Sequence, residues 1–229
     1  RDEDKYDDAI KAYEKAINKY PEALSLIGKL RIANILAERP EKSFSKKAIK
    51  IYDFIINEHS LSSQYEEALL RKSLTQALFQ DYPNAISTME KFCSKFPENL
   101  YVKHLIIRDR ILETIKSYIE DYYFQGRYLD ALSVYEQYEK QYYTHPKTST
   151  CFSLRKGENY SQIVQNLPYK APLFLIADSY FRLGLHDKAQ TMNDIILKDN
   201  KNPLAPLVLF NKGKIYDLKD QPEDAQQVY

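Results

Sequence analysis

YDDAIKAYEKAINKYP, residues 6–21, is the stretch that decides the fold. Ala9, Tyr13 and Ala16 follow one another at steps of four and three, which places them on one face of a helix. Pro21 comes next, and a proline cannot continue the hydrogen-bond ladder. The same pattern returns in PNAISTMEKFCSKFP, residues 83–97, as Ala85, Met89, Phe92 and Pro97. Further copies are Ala48 with Tyr52 and Ile55, Ala131 with Tyr135 and Tyr138, Ala189 with Asn193 and Ile196, and Ala225 with Tyr229. The anchor alanines stand 39, 37, 46, 58 and 36 residues apart, a series explained by a repeat of about 34 residues with insertions. The longest interval holds a large insertion or one degenerate unit.

Close helix packing gives this pattern its reason. In each unit a first helix ends, the chain turns, and a second returns antiparallel. The small alanine early in the second helix lets the backbones approach, and the large residue four positions on fills the space between units. Gly126 and Gly184 each precede an anchor alanine by five residues, where the first helix must stop, and glycine readily takes the left-handed conformation that ends a helix. Tyr6, Tyr82 and Tyr128, with His186 in the fifth copy, stand three before an anchor and can cover the turn. Pro21, Pro97, Pro146 and Pro203 punctuate after second helices.

These residues resemble the tetratricopeptide repeat family. Ile176-Ala177 followed by Tyr180, and Lys212-Gly213 followed by Tyr216, are similar to the first-helix half of its motif. The resemblance touches about three quarters of the chain and is weakest around Ala48, where a turn of unusual length, residues 39–45, intervenes. It implies an all-α, right-handed superhelical solenoid of antiparallel hairpins with irregular insertions. The expected organisation is a block of repeats over 1–143, an insertion or linker over 144–172, and a second block over 173–229. Residues 100–125 read as one long helix or two end to end, since apolar residues recur there at helical spacing without Pro or Gly. Residues 144–172 fit no unit; only 158–166 reads as a short helix.

Composition agrees and excludes. Five Gly in 229 residues, beside abundant Ala, Leu, Ile, Lys, Glu and Gln, favour helices. The 33 Lys and Arg against 32 Asp and Glu leave a net charge of +1, so no broad field draws the chain to nucleic acid or an anionic membrane. No apolar run approaches the roughly 20 residues of a membrane helix. The chain starts without Met and stops inside an expected helix, as an excised fragment would. Cys93 and Cys151 show no metal or redox spacing and read as two buried or idle thiols rather than a disulfide. His59, His104, His145 and His186 lie scattered, outside any ligand motif. Phosphate-loop, dinucleotide and nucleophile-elbow signatures do not occur, so no metal, cofactor or catalytic residue is expected. The chain reads as no enzyme; an unrecognised site within 144–172 is the enzymatic alternative.

The resemblance also implies where partners lie. Family partners run along the concave face of the first helices, which projects here to Lys116, Glu120, Tyr123 and Phe124, then Phe174, Asp178, Phe181 and Arg182, then Phe210, Lys214, Asp217 and Leu218. One subtype clamps a terminal carboxylate with Lys and Asn, but Phe174 and Asp178 hold those places and an aspartate repels a carboxylate. Twenty Tyr are present, ten of them between Tyr118 and Tyr169, where the adjacent pairs Tyr122/Tyr123 and Tyr142/Tyr143 cannot each face one core. The expected function is a non-enzymatic scaffold or adaptor that binds a peptide or protein partner within a larger assembly. A spacer or self-association module of a bacterial envelope complex, such as the flagellar motor, is the second expectation. The Lys, Ile, Tyr and Asn bias is similar to envelope proteins of low-GC bacteria, including periplasmic secretion and flagellar-motor assembly factors, which places the periplasm ahead of the cytoplasm.

Overall fold

A computed structural model describes residues 2–96, 101–139, 142, 170–198 and 202–229, and of 2–4, 101–105, 170 and 171 it describes the backbone. Among the described residues there are eleven helices and no strand. They are α1 (Asp2–Lys19), α2 (Pro21–Glu38), α3 (Lys42–Glu58), α4 (Gln64–Leu78), α5 (Tyr82–Lys95), α6 (Tyr101–Phe124), α7 (Tyr128–Glu139), α8 (Lys170–Arg182), α9 (His186–Leu197), α10 (Ala205–Leu218) and α11 (Pro222–Val228). Two compact units result, Arg1–Ile107 and Arg108–Tyr229, with the division inside α6. In the first, α1 to α5 each pack on the next, and α2 also meets α4. In the second, α7 packs on α8 and each later helix on its successor, with α8 also meeting α10. Consecutive hairpins with first helix beside first helix are the arrangement of a helical-repeat solenoid. The expected insertion lies outside the described residues, except for its last three, which begin α8.

The joint between the two helices of a hairpin recurs four times with one geometry. Gln80, Gly126, Gly184 and Asp220 take φ of 63°, 75°, 74° and 57°, each five residues before an anchor alanine. The following residue donates its N–H to a carbonyl five back: Asp81 to Gln76, Arg127 to Tyr122, Leu185 to Tyr180, Gln221 to Tyr216, at 2.9–3.0 Å. The left-handed residue itself donates three back, at 2.9–3.2 Å, so the carbonyls at each helix end are satisfied as in a Schellman motif. In all four, the first helix ends seven residues before the anchor. In α2 it ends ten before Ala48, a longer turn closed differently: Arg39 reaches back to Asp7 at 2.7 Å, and its guanidinium lies 3.7 Å from the Phe44 ring centre.

The seams pack as the alternation of small and large residues predicts. Ala48, Ala85, Ala131 and Ala189 have no exposed surface, and Ala225 is buried. Ala9 is half-buried on α1, which packs chiefly on α2 among the described residues. Tyr52, Met89 and Tyr135 are buried in the slot four residues on, each worth about 1.5–3 kcal/mol in the burial of its side chain. A methyl group on Gly213 would come within 2.5 Å of the Tyr229 ring, so α10 and α11 approach through the missing side chain. Gly28 does the same for α1 and α2 against Ile17, at 2.7 Å.

One residue keeps its expected place with a mismatched chemistry, and one departs from the sequence expectation. Asn193 occupies the large-residue slot of the fifth copy, almost wholly buried, and its Oδ1 meets no donor. Cys93 is fully buried, as the sequence reading allowed, but it is disulfide-bonded, and no cysteine is free among the described residues. Spacing along the chain says nothing of which thiols meet in space, which is why the reading from motifs failed. Cys151 itself lies outside the described residues.

Candidate functional site

The first helices α4, α6, α8 and α10 end in equivalent positions, so a residue at a fixed offset from the anchor alanine recurs on the same face of each unit. Seven before the anchor stand Leu78, Phe124, Arg182 and Leu218. Leu78 is 70 % exposed, Phe124 77 % and Leu218 62 %. Apolar side chains of this size are scattered singly on most surfaces; recurrence at one repeat position is what distinguishes these.

In Arg108–Tyr229 the projected residues fall into clusters. The Tyr123 hydroxyl on α6 donates to Asp178 Oδ2 on α8 at 2.5 Å, and Arg182 Nε donates to the same oxygen at 2.5 Å. The Arg182 guanidinium sits 5.3 Å from the Tyr128 ring centre and 5.9 Å from that of Tyr123. Burial, then the bond to the Asp178 carboxylate, pushes the Tyr123 phenol up to about 12. Asp178 is buried beneath this cluster, so its charge serves the joint between the two helices, while the half-exposed Arg182 presents a cation. Phe124 leans edge-on against Tyr123 at 5.4 Å.

On α10, Lys214 lies over the Phe210 ring at 4.4 Å, and Asp217 accepts a bond from the Tyr229 hydroxyl at 2.8 Å. Lys116 and Glu120 pair along α6 at 3.8 Å. Phe181 rests 5.6 Å from the His186 ring, and Phe174 is half-buried. The structure therefore joins Tyr123, Asp178 and Arg182 into one group, and Phe210, Lys214 and Asp217 into another around Tyr229. Of the adjacent tyrosines, Tyr122 packs tilted against Tyr118 at 5.0 Å while Tyr123 turns to Asp178. Tyr142 is buried and lies parallel to Tyr138 at 5.9 Å; Tyr143 is outside the described residues.

The unit Arg1–Ile107 has a comparable face that the sequence reading passed over. Between α2 and α4 lies a cavity of about 170 Å³, with Tyr52 and Thr75 at its floor and Asn34, Glu38, Arg71 and Leu78 among its walls. Tyr52 donates to Asn34 Oδ1 at 2.9 Å, and Asn34 Nδ2 and Arg31 each donate to Glu67 Oε1 at 3.0 Å. The longer turn after α2 shifts its register by three residues and hid this face. Once the shift is known, Glu38 on α2 matches Leu78 on α4.

Among the described residues no group of three His, Cys, Asp or Glu side chains could hold a metal ion, and no helix is long and apolar enough to cross a membrane.

Residues 1–23 and 67–99 match the family model of the tetratricopeptide repeat. No curated protein matches the chain. Among solved structures it is similar to YrrB, a TPR protein with an unusual peptide-binding site, at 16 % identity over 96 % of this chain and 89 % of that one, with a TM-score of 0.40. It is similar also to a putative kinesin light chain of Podosopora anserina with nearly identical TPR-like repeats, and to a variant of it. Both share 13 % identity over 89 % of this chain and 91 % of theirs, with TM-scores of 0.35.

Proposed function

We propose that the chain is a non-enzymatic scaffold that binds a peptide or protein partner along the faces of its first helices, within a larger assembly. The carrying observation is the exposed Leu78, Phe124 and Leu218 at one repeat position. Exposed apolar anchors supply affinity at an interface, and the neighbouring Arg182, Lys214 and Lys116 set which partner fits and how. The experiment is photo-crosslinking in the native host, with benzoylphenylalanine at Phe124, Leu218 or Leu78 and, as the comparison, at the exposed Ser87, Ser133 and Thr191 of second helices. One identified protein adduct from the first set and none from the second is the expected result. Equal adducts from both sets, or none from either, would reject the docking faces.

A bacterial envelope setting, in the periplasm around a secretion system or the flagellar motor, is the finer form of this reading. The disulfide at Cys93 supports an oxidising compartment. A spacer or self-association role is the second reading, supported by an apolar cavity of about 240 Å³ between α1 and α2, lined by Tyr13, Ile17, Leu24 and Ile27. Light scattering separates the two: mass that rises with concentration favours the spacer, and a constant monomer mass removes it.

A further inference from the structure

The cavity between α2 and α4 is built for one side chain. At about 170 Å³ it falls below the roughly 300–1,000 Å³ of sites for whole small molecules. Its floor is fixed: Tyr52 has no exposed surface and is tied to Asn34, and the Thr75 hydroxyl donates to the Arg71 carbonyl at 2.8 Å. Ala37, Leu74 and Leu78 give it apolar walls.

Its rim carries opposite charges on opposite helices. Arg71 stands on α4, and the exposed Glu38 ends α2. Glu67 pairs with Arg71 along α4 without a hydrogen bond, and so leaves the guanidinium's donors unspent on it. Its Oε1 is already held by Arg31 and Asn34 at 3.0 Å each, and Arg71 Nε stays 3.8 Å away, beyond hydrogen-bond range. The Arg71 side chain is 48 % exposed, so a partner carboxylate has access to the guanidinium fork.

We infer that this groove takes an extended peptide that inserts one aliphatic side chain between Leu74 and Leu78, flanked by a carboxylate that meets Arg71 and a cation that meets Glu38. The inference rests on the docking-face reading and adds the chemistry of the segment bound in this unit. In an extended strand every second side chain points the same way, about 6.6–6.8 Å apart, so the three recognised residues alternate with unread ones. Charge complementarity selects this occupant: an all-basic or all-acidic segment leaves one side of the rim facing a like charge.

The test is fluorescence anisotropy with two labelled peptides, of core Asp-Ala-Leu-Ala-Lys and of core Lys-Ala-Leu-Ala-Asp, one for each chain direction. One of them binds saturably, and replacing its Leu by Ser, or Arg71→Glu in the protein, weakens binding at least about tenfold. The double variant R71E/E38K then prefers the opposite core. That rescue shows that the variant is folded and that charge, not collapse of the site, caused the loss. Binding unchanged in R71E, unchanged by Leu to Ser, or absent for both cores up to about 1 mM overturns the inference. Crosslinks from Phe124 and Leu218 that persist without peptide binding reject this groove alone. Peptide binding without those crosslinks rejects the docking face of the other unit alone.

Discussion

Gln80 and Asp220 hold the left-handed position that Gly126 and Gly184 hold in the other hairpins. For a residue with a Cβ that conformation costs about 1 kcal/mol. Gln80→Gly and Asp220→Gly should therefore each raise stability by about 0.5–1 kcal/mol, read as a higher urea midpoint at unchanged slope. A lowered midpoint for both would mean that the turn is not under backbone strain. The two glycines were legible because glycine is the residue that tolerates such φ. Gln80 was not, since glutamine announces no turn, and Asp220, although aspartate tolerates turns, was not singled out among the many aspartates on helix faces. Asn193 is a second residue where chemistry and position disagree. Its Oδ1 is buried without a donor in a slot that Tyr52, Met89 and Tyr135 fill elsewhere. Asn193→Leu should stabilise by about 1–2 kcal/mol in thermal or urea unfolding, because it removes the desolvated carbonyl and adds apolar contact. Destabilisation there would indicate a hydrogen-bonded role for the amide.

Between elements, an ion pair repeats along with the helices. Asp53 on α3 meets Lys72 on α4 at 2.7 Å, and Asp194 on α9 meets Lys212 on α10 at 2.6 Å. Each aspartate stands five after its anchor alanine, and each lysine thirteen before the next. Glu14, Glu90 and Glu136 are acidic at the same offset, a periodic charge that the sequence carried and a reading confined to apolar residues missed. The pairs are partly exposed, so a double-mutant cycle with Asp53→Asn and Lys72→Met should give a coupling of about 0.2–1 kcal/mol, fading in high salt. Zero coupling would make the pair incidental. The alanine seam is the stronger constraint. Ala131 has no exposed surface between packed helices, and Ala131→Arg should cost about 3 kcal/mol or more by forcing a charge into the joint. An unchanged melting curve by circular dichroism would reject the placement of that hairpin.

Across the molecule, tyrosine provides the shared packing material, and its titration should show this. Burial raises the phenols of Tyr52, Tyr65, Tyr118, Tyr123, Tyr138 and Tyr180 above the ordinary value of 10.0, and those of Tyr118 and Tyr123 reach about 12. A phenol raised on folding keeps its proton in the native state after the unfolded chain has lost it. The stability it contributes is thus complete below pH 10, and it is lost as the pH rises through about 12. Near-ultraviolet titration should show a late group of tyrosines that ionises only as the helix signal disappears, and Tyr123→Phe should shrink that group by one. Uniform ionisation of all twenty near pH 10 in folded protein would contradict this packing. Periodicity alone established the all-helical hairpins, their anchor alanines and the two glycine joints, because a helix imposes its 3.6-residue spacing on every face it must bury. It could not show that Asp178 would be spent on Tyr123 and Arg182, that Cys93 would be oxidised, or that α2 and α4 would enclose a charged-rim groove. Each of those depends on residues far apart in the chain meeting at a particular distance, and only packing in three dimensions decides which of many equivalent side chains meet.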